Sequence, residues 1–192
     1  TYTTQRQYES GANGSQTAML SHYKNGDDLT YSYSYDKNGN IFHIMNGRTL
    51  FNYEYDGANQ LVRENLFIER LEESRTVTYE YDENGNLLRK KTYPLSTGEL
   101  GEATSTIEYV YSDGEWQDQL ISYNGKSITY DSMGNPVNYM GNTLTWEGKQ
   151  LTGYTKPGKV VAGPKVMTYT YDENGLRQTK TADSVTTRYY YN

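Results

Sequence analysis

Between Tyr35 and Tyr171 the chain keeps rewriting one short phrase: an aromatic residue, Asp, a tight-turn cluster, then an aliphatic residue. The plainest copies are Tyr35-Asp36-Lys37-Asn38-Gly39-Asn40-Ile41 and Tyr81-Asp82-Glu83-Asn84-Gly85-Asn86-Leu87. Looser ones are Tyr55-Asp56-Gly57-Ala58-Asn59-Gln60-Leu61 and Tyr130-Asp131-Ser132-Met133-Gly134-Asn135-Pro136, and Tyr171-Asp172-Glu173-Asn174-Gly175 opens another. Repeats on this scale predict an array of like small units in place of one domain built around an active site.

The turn chemistry explains why these residues recur. A type I turn favours Asp at its first position, where the carboxylate accepts backbone N–H bonds, and takes Gly or Asn in the left-handed conformation that follows. With Lys37 and Asn38 at the turn centre and Gly39 as bulge residue, Asp36 opposes Asn40 and Tyr35 opposes Ile41. A two-residue Asn38-Gly39 turn is the rival, and it would pair Tyr35 with Phe42. At the Tyr55 copy Asn59 replaces the glycine, as the next best residue for positive φ.

Upstream of the turns, Tyr31-Ser32-Tyr33-Ser34-Tyr35, Thr76 to Tyr81, Thr106 to Tyr111 and Met167 to Tyr171 place aromatic or β-branched residues at period two, the strand signal. Asn65 to Glu73 is the one segment where a short helix competes, and its place between two copies favours a strand. Weaker units fill the gaps: Tyr109 to Trp116, and Leu144 to Leu151 with Trp146-Glu147 standing where Tyr-Asp stands elsewhere. Heads then fall at 35, 55, 81, 111, 130, 146 and 171, steps that suit a hairpin with loops of variable length. The fold expected is therefore all-β, an array of antiparallel hairpins in an extended, twisted or curved sheet.

Composition agrees. With 22 Tyr against 3 Phe and only 34% of residues apolar, the chain cannot build a thick two-sided core, whereas Tyr suits half-buried surfaces, ring packed and hydroxyl reaching a polar neighbour. The repeat runs through 1–192 with no evident domain boundary. Tyr154 to Pro164 and Tyr93 to Gly101, each punctuated by Pro and Gly, read as long hairpin tips.

There is no cysteine, so neither disulfides nor thiolate metal sites hold the fold. No charged-then-apolar leader and no long apolar run appears, and the chain is expected to be a piece of a longer polypeptide. A net charge of −6 argues against a nucleic-acid partner, and the compact basic cluster Arg89-Lys90-Lys91 reads as a solvated strand face. His22 and His43 are the only imidazoles, and His43 reads as one position of a strand. No Gly-x-Ser-x-Gly elbow exists, and each repeat Asp already has a structural task in its turn. Asp36 to Asn40 alternates oxygen ligands, yet Gly is fourth instead of sixth and the twelfth residue is Gly47, which fits a turn and not a calcium loop. No catalytic residue, metal or cofactor is expected.

The Tyr-Asp-x-x-Gly-Asn-aliphatic units, with Leu144-Thr145-Trp146-Glu147-Gly148-Lys149-Gln150-Leu151, resemble the YD or RHS repeats of bacterial wall-associated and Rhs polymorphic-toxin proteins, also found in toxin-complex C proteins and teneurins. The similarity runs from about Tyr8 to Asn192, and Tyr169 to Thr181 with Thr187-Arg188-Tyr189-Tyr190-Tyr191 resembles the last repeats before that family's core terminus. The resemblance implies a ribbon of hairpins winding into a hollow shell around a C-terminal toxin, exported to the cell surface or beyond. The Asp-Pro-x-Gly self-cleavage motif of many members is not found in these residues. The expected role is thus a non-enzymatic wall segment whose partner is the rest of its own polypeptide. The alternative is an adhesion or carbohydrate-binding module, with Trp116 and Trp146 as candidate contacts to cell-wall or host glycans. Excised copies are expected to self-associate through strand edges.

Overall fold

The computed structural model describes residues 3–26, 29–69, 73–159 and 163–191. Among the described residues it is all-β, with a short 3-10 turn at Ala12–Gly14. The strands are β1 (Thr4–Ser10), β2 (Gln16–Asn25), β3 (Leu29–Tyr35), β4 (Ile41–Asn46), β5 (Thr49–Tyr55), β6 (Leu61–Phe67), β7 (Arg75–Tyr81), β8 (Leu87–Pro94), β9 (Ser105–Tyr111), β10 (Leu120–Tyr123) and β11 (Lys126–Ser127). There follow β12 (Thr129–Tyr130), β13 (Pro136–Tyr139), β14 (Asn142–Glu147), β15 (Gln150–Lys156), β16 (Lys165–Tyr171), β17 (Arg177–Ala182) and β18 (Val185–Arg188). β1–β11 form one antiparallel sheet and β12–β18 another, and in each the spatial order is the chain order, a plain meander. Two compact units divide the chain, Thr1–Ile107 and Glu108–Asn192.

The turns alternate in kind. The Asp turns join β3 to β4, β5 to β6, β7 to β8, β12 to β13 and β16 to β17. Several connections between them are tight two-residue turns: Asn46 pairs with Thr49, Tyr123 with Lys126, Tyr139 with Asn142 and Ala182 with Val185. Positive φ at Asn124, Met140, Asp183 and Ser184 supplies the backbone twist these short turns need.

The core is thin. Among the described residues the buried apolar side chains are Leu66, Val77 and Ile128, and Asn65, Ser74, Thr76 and Asn135 are buried polar ones. Thr76 is bonded on all sides: its hydroxyl donates to Asn65 Oδ1 at 2.7 Å and accepts from Ser96 N–H at 3.0 Å. Arg63 adds bonds to the carbonyls of Ser96 (2.6 Å) and Gly98 (3.1 Å). The loop after β8 is therefore not the free hairpin tip expected for Tyr93 to Gly101. It folds back onto β6 and β7, because a buried Thr–Asn pair needs backbone partners to remain satisfied.

Two smaller expectations also shift. In Asn65 to Glu73, Asn65, Leu66 and Phe67 are strand, and residues 70–72 lie outside the described residues. In the tip expected at Tyr154 to Pro164, strand β15 persists to Lys156, and residues 160–162 lie outside the described residues.

Candidate functional site

The repeat turns form one structural device. In the Tyr35 copy, Asp36 N–H donates to Asn40 O (2.9 Å) and Gly39 N–H to Asp36 O (3.1 Å), so Tyr35 faces Ile41. This is the bulged register expected, with Gly39 at φ +86°, and not the two-residue rival. Asp36 Oδ1 accepts from Asn38 N–H (2.8 Å) and Asn40 N–H (2.9 Å), and Oδ2 accepts the Asn40 side-chain amide (3.0 Å). Asp82 with Asn86 and Asp131 with Asn135 repeat all of these bonds. Asp56 and Asp172 repeat the Oδ1 pair, with Asn59 at φ +63° and Gly175 at +80° in the left-handed position.

These bonds stabilise the ionised carboxylate. The Asn86 side-chain amide, then the Asn86 and Asn84 N–H groups, hold Asp82 below the usual carboxylate range. The Asn135 N–H and side-chain amide do the same for Asp131. At Asp36 desolvation pulls upward, and the bonds from Asn40, Asn38 and Gly39 outweigh it, leaving the pKa lowered.

The tyrosine that heads each turn reaches backward. Tyr55 OH donates to Ile41 O at 2.7 Å, and Ile41 is the aliphatic residue ending the previous phrase. Tyr81 OH donates likewise to Leu61 O (2.9 Å), Tyr130 to Leu120 O (2.6 Å), Tyr171 to Leu151 O (2.8 Å) and Tyr35 to Leu20 O (2.9 Å). Trp146 makes the same link through Nε1–H to Pro136 O (2.8 Å), and Tyr191 through its hydroxyl to Arg177 O (2.8 Å). The Tyr55, Tyr81, Tyr130 and Tyr171 links therefore each tie the end of the strand entering one turn to the beginning of the strand leaving the turn before it. Burial, then the carboxylate of the preceding turn, raises the pKa of Tyr55 (beside Asp36) and Tyr81 (beside Asp56), which keeps both hydroxyls protonated as donors.

Strand pairing shows why a hydroxyl is needed there. Backbone pairing between β6 and β7 reaches Arg63 with Thr78 and stops, and between β4 and β5 it stops at His43 with Asn52. Beyond those points Tyr81 and Tyr55 supply by side chain the donor that the ladder no longer provides. The same places carry a β-bulge: Glu80 pairs with Arg89 but Tyr81 with Leu87, so Leu88 is the extra residue. Phe42, Val62, Ile121, Val137, Thr152, Gln178 and Ser21 are extra in the corresponding positions. A bulge raises local twist and turns neighbouring carbonyls out of the ladder. The Ser21 bulge also marks a unit headed by Tyr8, paired with Leu20, that lacks the Asp phrase and that the residue pattern did not reveal.

Successive turns also touch. Asn59 Oδ1 accepts the amides of Asn38 (2.9 Å) and Asn40 (2.8 Å), and the Asn135 amide reaches Gly148 O (2.7 Å). Lys149 donates to Met133 O. A Cβ at Gly85 would lie 3.0 Å from Gln60 Nε2, and one at Gly134 would lie 2.8 Å from the Trp116 ring.

Some expected residues take other parts. The weak Tyr109 to Trp116 unit is a longer loop: Tyr111 pairs with Leu120, and Ser112 stands in for Asp, its N–H on Gln119 O and its Oγ accepting Gly114 N–H. Glu147 does not play Asp, since Trp146 pairs with Leu151 and Glu147 with Gln150 across a two-residue turn. In the last copy Arg177 occupies the aliphatic place opposite Tyr171, its guanidinium 4.6 Å from the Tyr169 ring centroid. Of the candidate glycan contacts, Trp116 is 55% exposed, while half-buried Trp146 is engaged with Pro136. The basic cluster divides between faces: Arg89 and Lys91 pair with Glu80 (3.1 and 2.6 Å), and Lys90 lies over the Tyr79 ring. His43 packs edge-on against Phe42, and His22 lies beside Ser21 Oγ. Among the described residues no three His, Asp or Glu side chains converge as a metal site.

No family model matches the chain, and no curated protein is similar to it in sequence. Its fold is similar to that of solved toxin-complex chains. The crystal structure of TcdB2-TccC3-TEV matches with a TM-score of 0.66 and 18% identity over 93% of this chain. TcdB2-TccC3-Cdc42 matches at 0.61 and 21% over 93%, and TcdB2-TccC3 without its hypervariable C-terminal region at 0.67 and 18% over 94%. The chain spans 10% of the length of each of these chains, and at such identities the likeness is one of fold.

Proposed function

We propose that the chain is a non-enzymatic structural segment of an exported RHS-type polypeptide, building part of the wall of a β-shell around a C-terminal toxin domain. The observation that carries this reading is the series of side-chain links, in which the Tyr, Asp and Asn of each phrase spend their polar atoms on the same turn or the adjoining hairpin. A surface built this way is a propagating wall, since each unit is completed by its neighbour. Likeness to a tenth of a TcdB2-TccC3 chain supports the reading of a segment of something larger. The partners it implies are flanking repeats and an enclosed effector, with the assembly at the bacterial surface or outside the cell.

Tyr33, Tyr53 and Tyr79 share one face of their sheet by register, which supplies a test. Hydroxyl-radical footprinting of the full polypeptide should show these three protected relative to the isolated segment. Equal labelling in both would contradict the wall. A glycan or peptidoglycan pull-down that is lost on Trp116→Ala would point instead to the adhesion module.

A further inference from the structure

The sequence contains seven Asn-Gly pairs, the dipeptide most prone to spontaneous loss of the asparagine amide, and the structure divides them into two chemical classes. In four, the glycine N–H is held: Gly39 on Asp36 O (3.1 Å), Gly85 on Asp82 O (3.1 Å), Gly175 on Asp172 O (3.0 Å) and Gly26 on Thr3 O (3.0 Å). Gly14 closes the 3-10 turn Ala12–Gly14, which holds its N–H as well. In the remaining two, Asn46-Gly47 and Asn124-Gly125, the glycine N–H has no acceptor among the described residues. Exposure does not make this division, because Asn38, Asn84 and Asn174 are as exposed as Asn124.

We propose that Asn46 and Asn124 are sites of spontaneous deamidation and that Asp36, Asp82 and Asp172 each protect the Asn-Gly of their own turn from it. The glycine nitrogen loses its proton to a solvent base and attacks Cγ of the asparagine. The new C–N bond closes a succinimide, and the side-chain nitrogen leaves as ammonia with a proton from water. Water then opens the ring at either carbonyl, giving Asp or isoAsp, so the net reaction is Asn plus water to acid plus ammonia. Ring closure requires the Asn–Gly peptide to rotate toward the side chain. In the Asp turns that rotation must also break the glycine bond and strain the pair of bonds to Asp Oδ1, one of which comes from the asparagine's own N–H. At Asn38 the side-chain amide is further tied to Asn59. The carboxylate gained at Asn124 would lie in the two-residue turn joining β10 to β11, and an isoAsp there lengthens the turn backbone.

Peptide mapping by mass spectrometry during mildly alkaline incubation tests this in the folded chain. Conversion at Asn46 and Asn124 should run at least about tenfold faster than at Asn38, Asn84 and Asn174, the factor that 1.4 kcal/mol of extra opening cost represents. In denaturant all seven should converge on one rate. Asp82→Ala should move Asn84 toward the fast class while Asn38 and Asn174 stay slow, which separates loss of the local turn from global unfolding. Repeat-turn asparagines converting as fast as Asn124 in the folded wild type would overturn the proposal, as would an unchanged Asn84 rate in Asp82→Ala.

Discussion

Replacing Tyr81 by Phe removes one oxygen atom and leaves the ring in place. The hydroxyl donates to Leu61 O at 2.9 Å across a part-buried gap where backbone pairing between β6 and β7 has already ended. A net hydrogen bond contributes roughly 0.5–1.5 kcal/mol, and an orphaned buried carbonyl pushes the loss toward the upper end. Water reaches this site in part, so the expected cost is about 1 kcal/mol, or about 2–4 °C in melting temperature for a chain of this size. Tyr55→Phe should cost a similar amount, because its bond to Ile41 O has the same form. The double variant should lose about 2 kcal/mol, and any departure from the sum measures coupling through Leu61, which accepts from Tyr81 and pairs with Tyr55. Tyr190→Phe is the control: Tyr190 is 86% exposed, and its change should stay within about 0.5 kcal/mol. Urea unfolding followed by far-ultraviolet circular dichroism measures all four. If Tyr81→Phe and Tyr55→Phe behave like Tyr190→Phe, the hydroxyl links do not hold the hairpins together.

Further outcomes are expected from the same geometry. Gly85→Val should cost about 1–3 kcal/mol, since a β-branched residue at φ +86° is strained and its Cβ meets Gln60 Nε2 at 3.0 Å, whereas Asn86→Ser should cost less in the same melts. Because Asp36, Asp82 and Asp131 titrate lower in the folded chain than unfolded, their contribution is complete above the ordinary carboxylate range and is lost as pH falls through the lowered values. Denaturant midpoints measured from neutral to acid pH should fall accordingly, and less steeply in Asp82→Asn. Burial first, and then the Glu64 carboxylate, push Tyr79 up to about 12. Stability tied to Tyr79 should hold below the ordinary tyrosine pKa and be lost as pH rises from there through about 12, which absorbance titration of Tyr79→Phe against wild type can isolate.

The repeat turn was legible from residue types, because Asp at the first turn position and Gly or Asn at the fourth leave few backbone solutions. Residue types left two registers, Tyr35 opposite Ile41 or opposite Phe42, and the structure has the first. The second irregularity in each hairpin was not legible: Phe42, Val62, Leu88, Thr152 and Gln178 share no chemistry, because a bulge is a property of the backbone path. Nor could a tyrosine hydroxyl's partner be read, since every residue offers the same carbonyl. The excess of Tyr over Phe was nonetheless the visible trace of those links. Arg177 in the aliphatic place misleads any pattern reading, and only its stacking on Tyr169 explains it. The loop after β8 escaped for a similar reason, since Thr76 and Asn65 look like ordinary outward strand residues until Ser96 covers them.

If these hairpins are one stretch of a continuous wall, electron cryomicroscopy of the full polypeptide should show residues 3–191 continuing strand by strand into flanking repeats at both β1 and β18, with Tyr191 heading a further turn and the Tyr33, Tyr53 and Tyr79 face turned toward an enclosed volume. A segment standing alone, with β1 and β18 as free edges and that tyrosine face open to solvent, would contradict it.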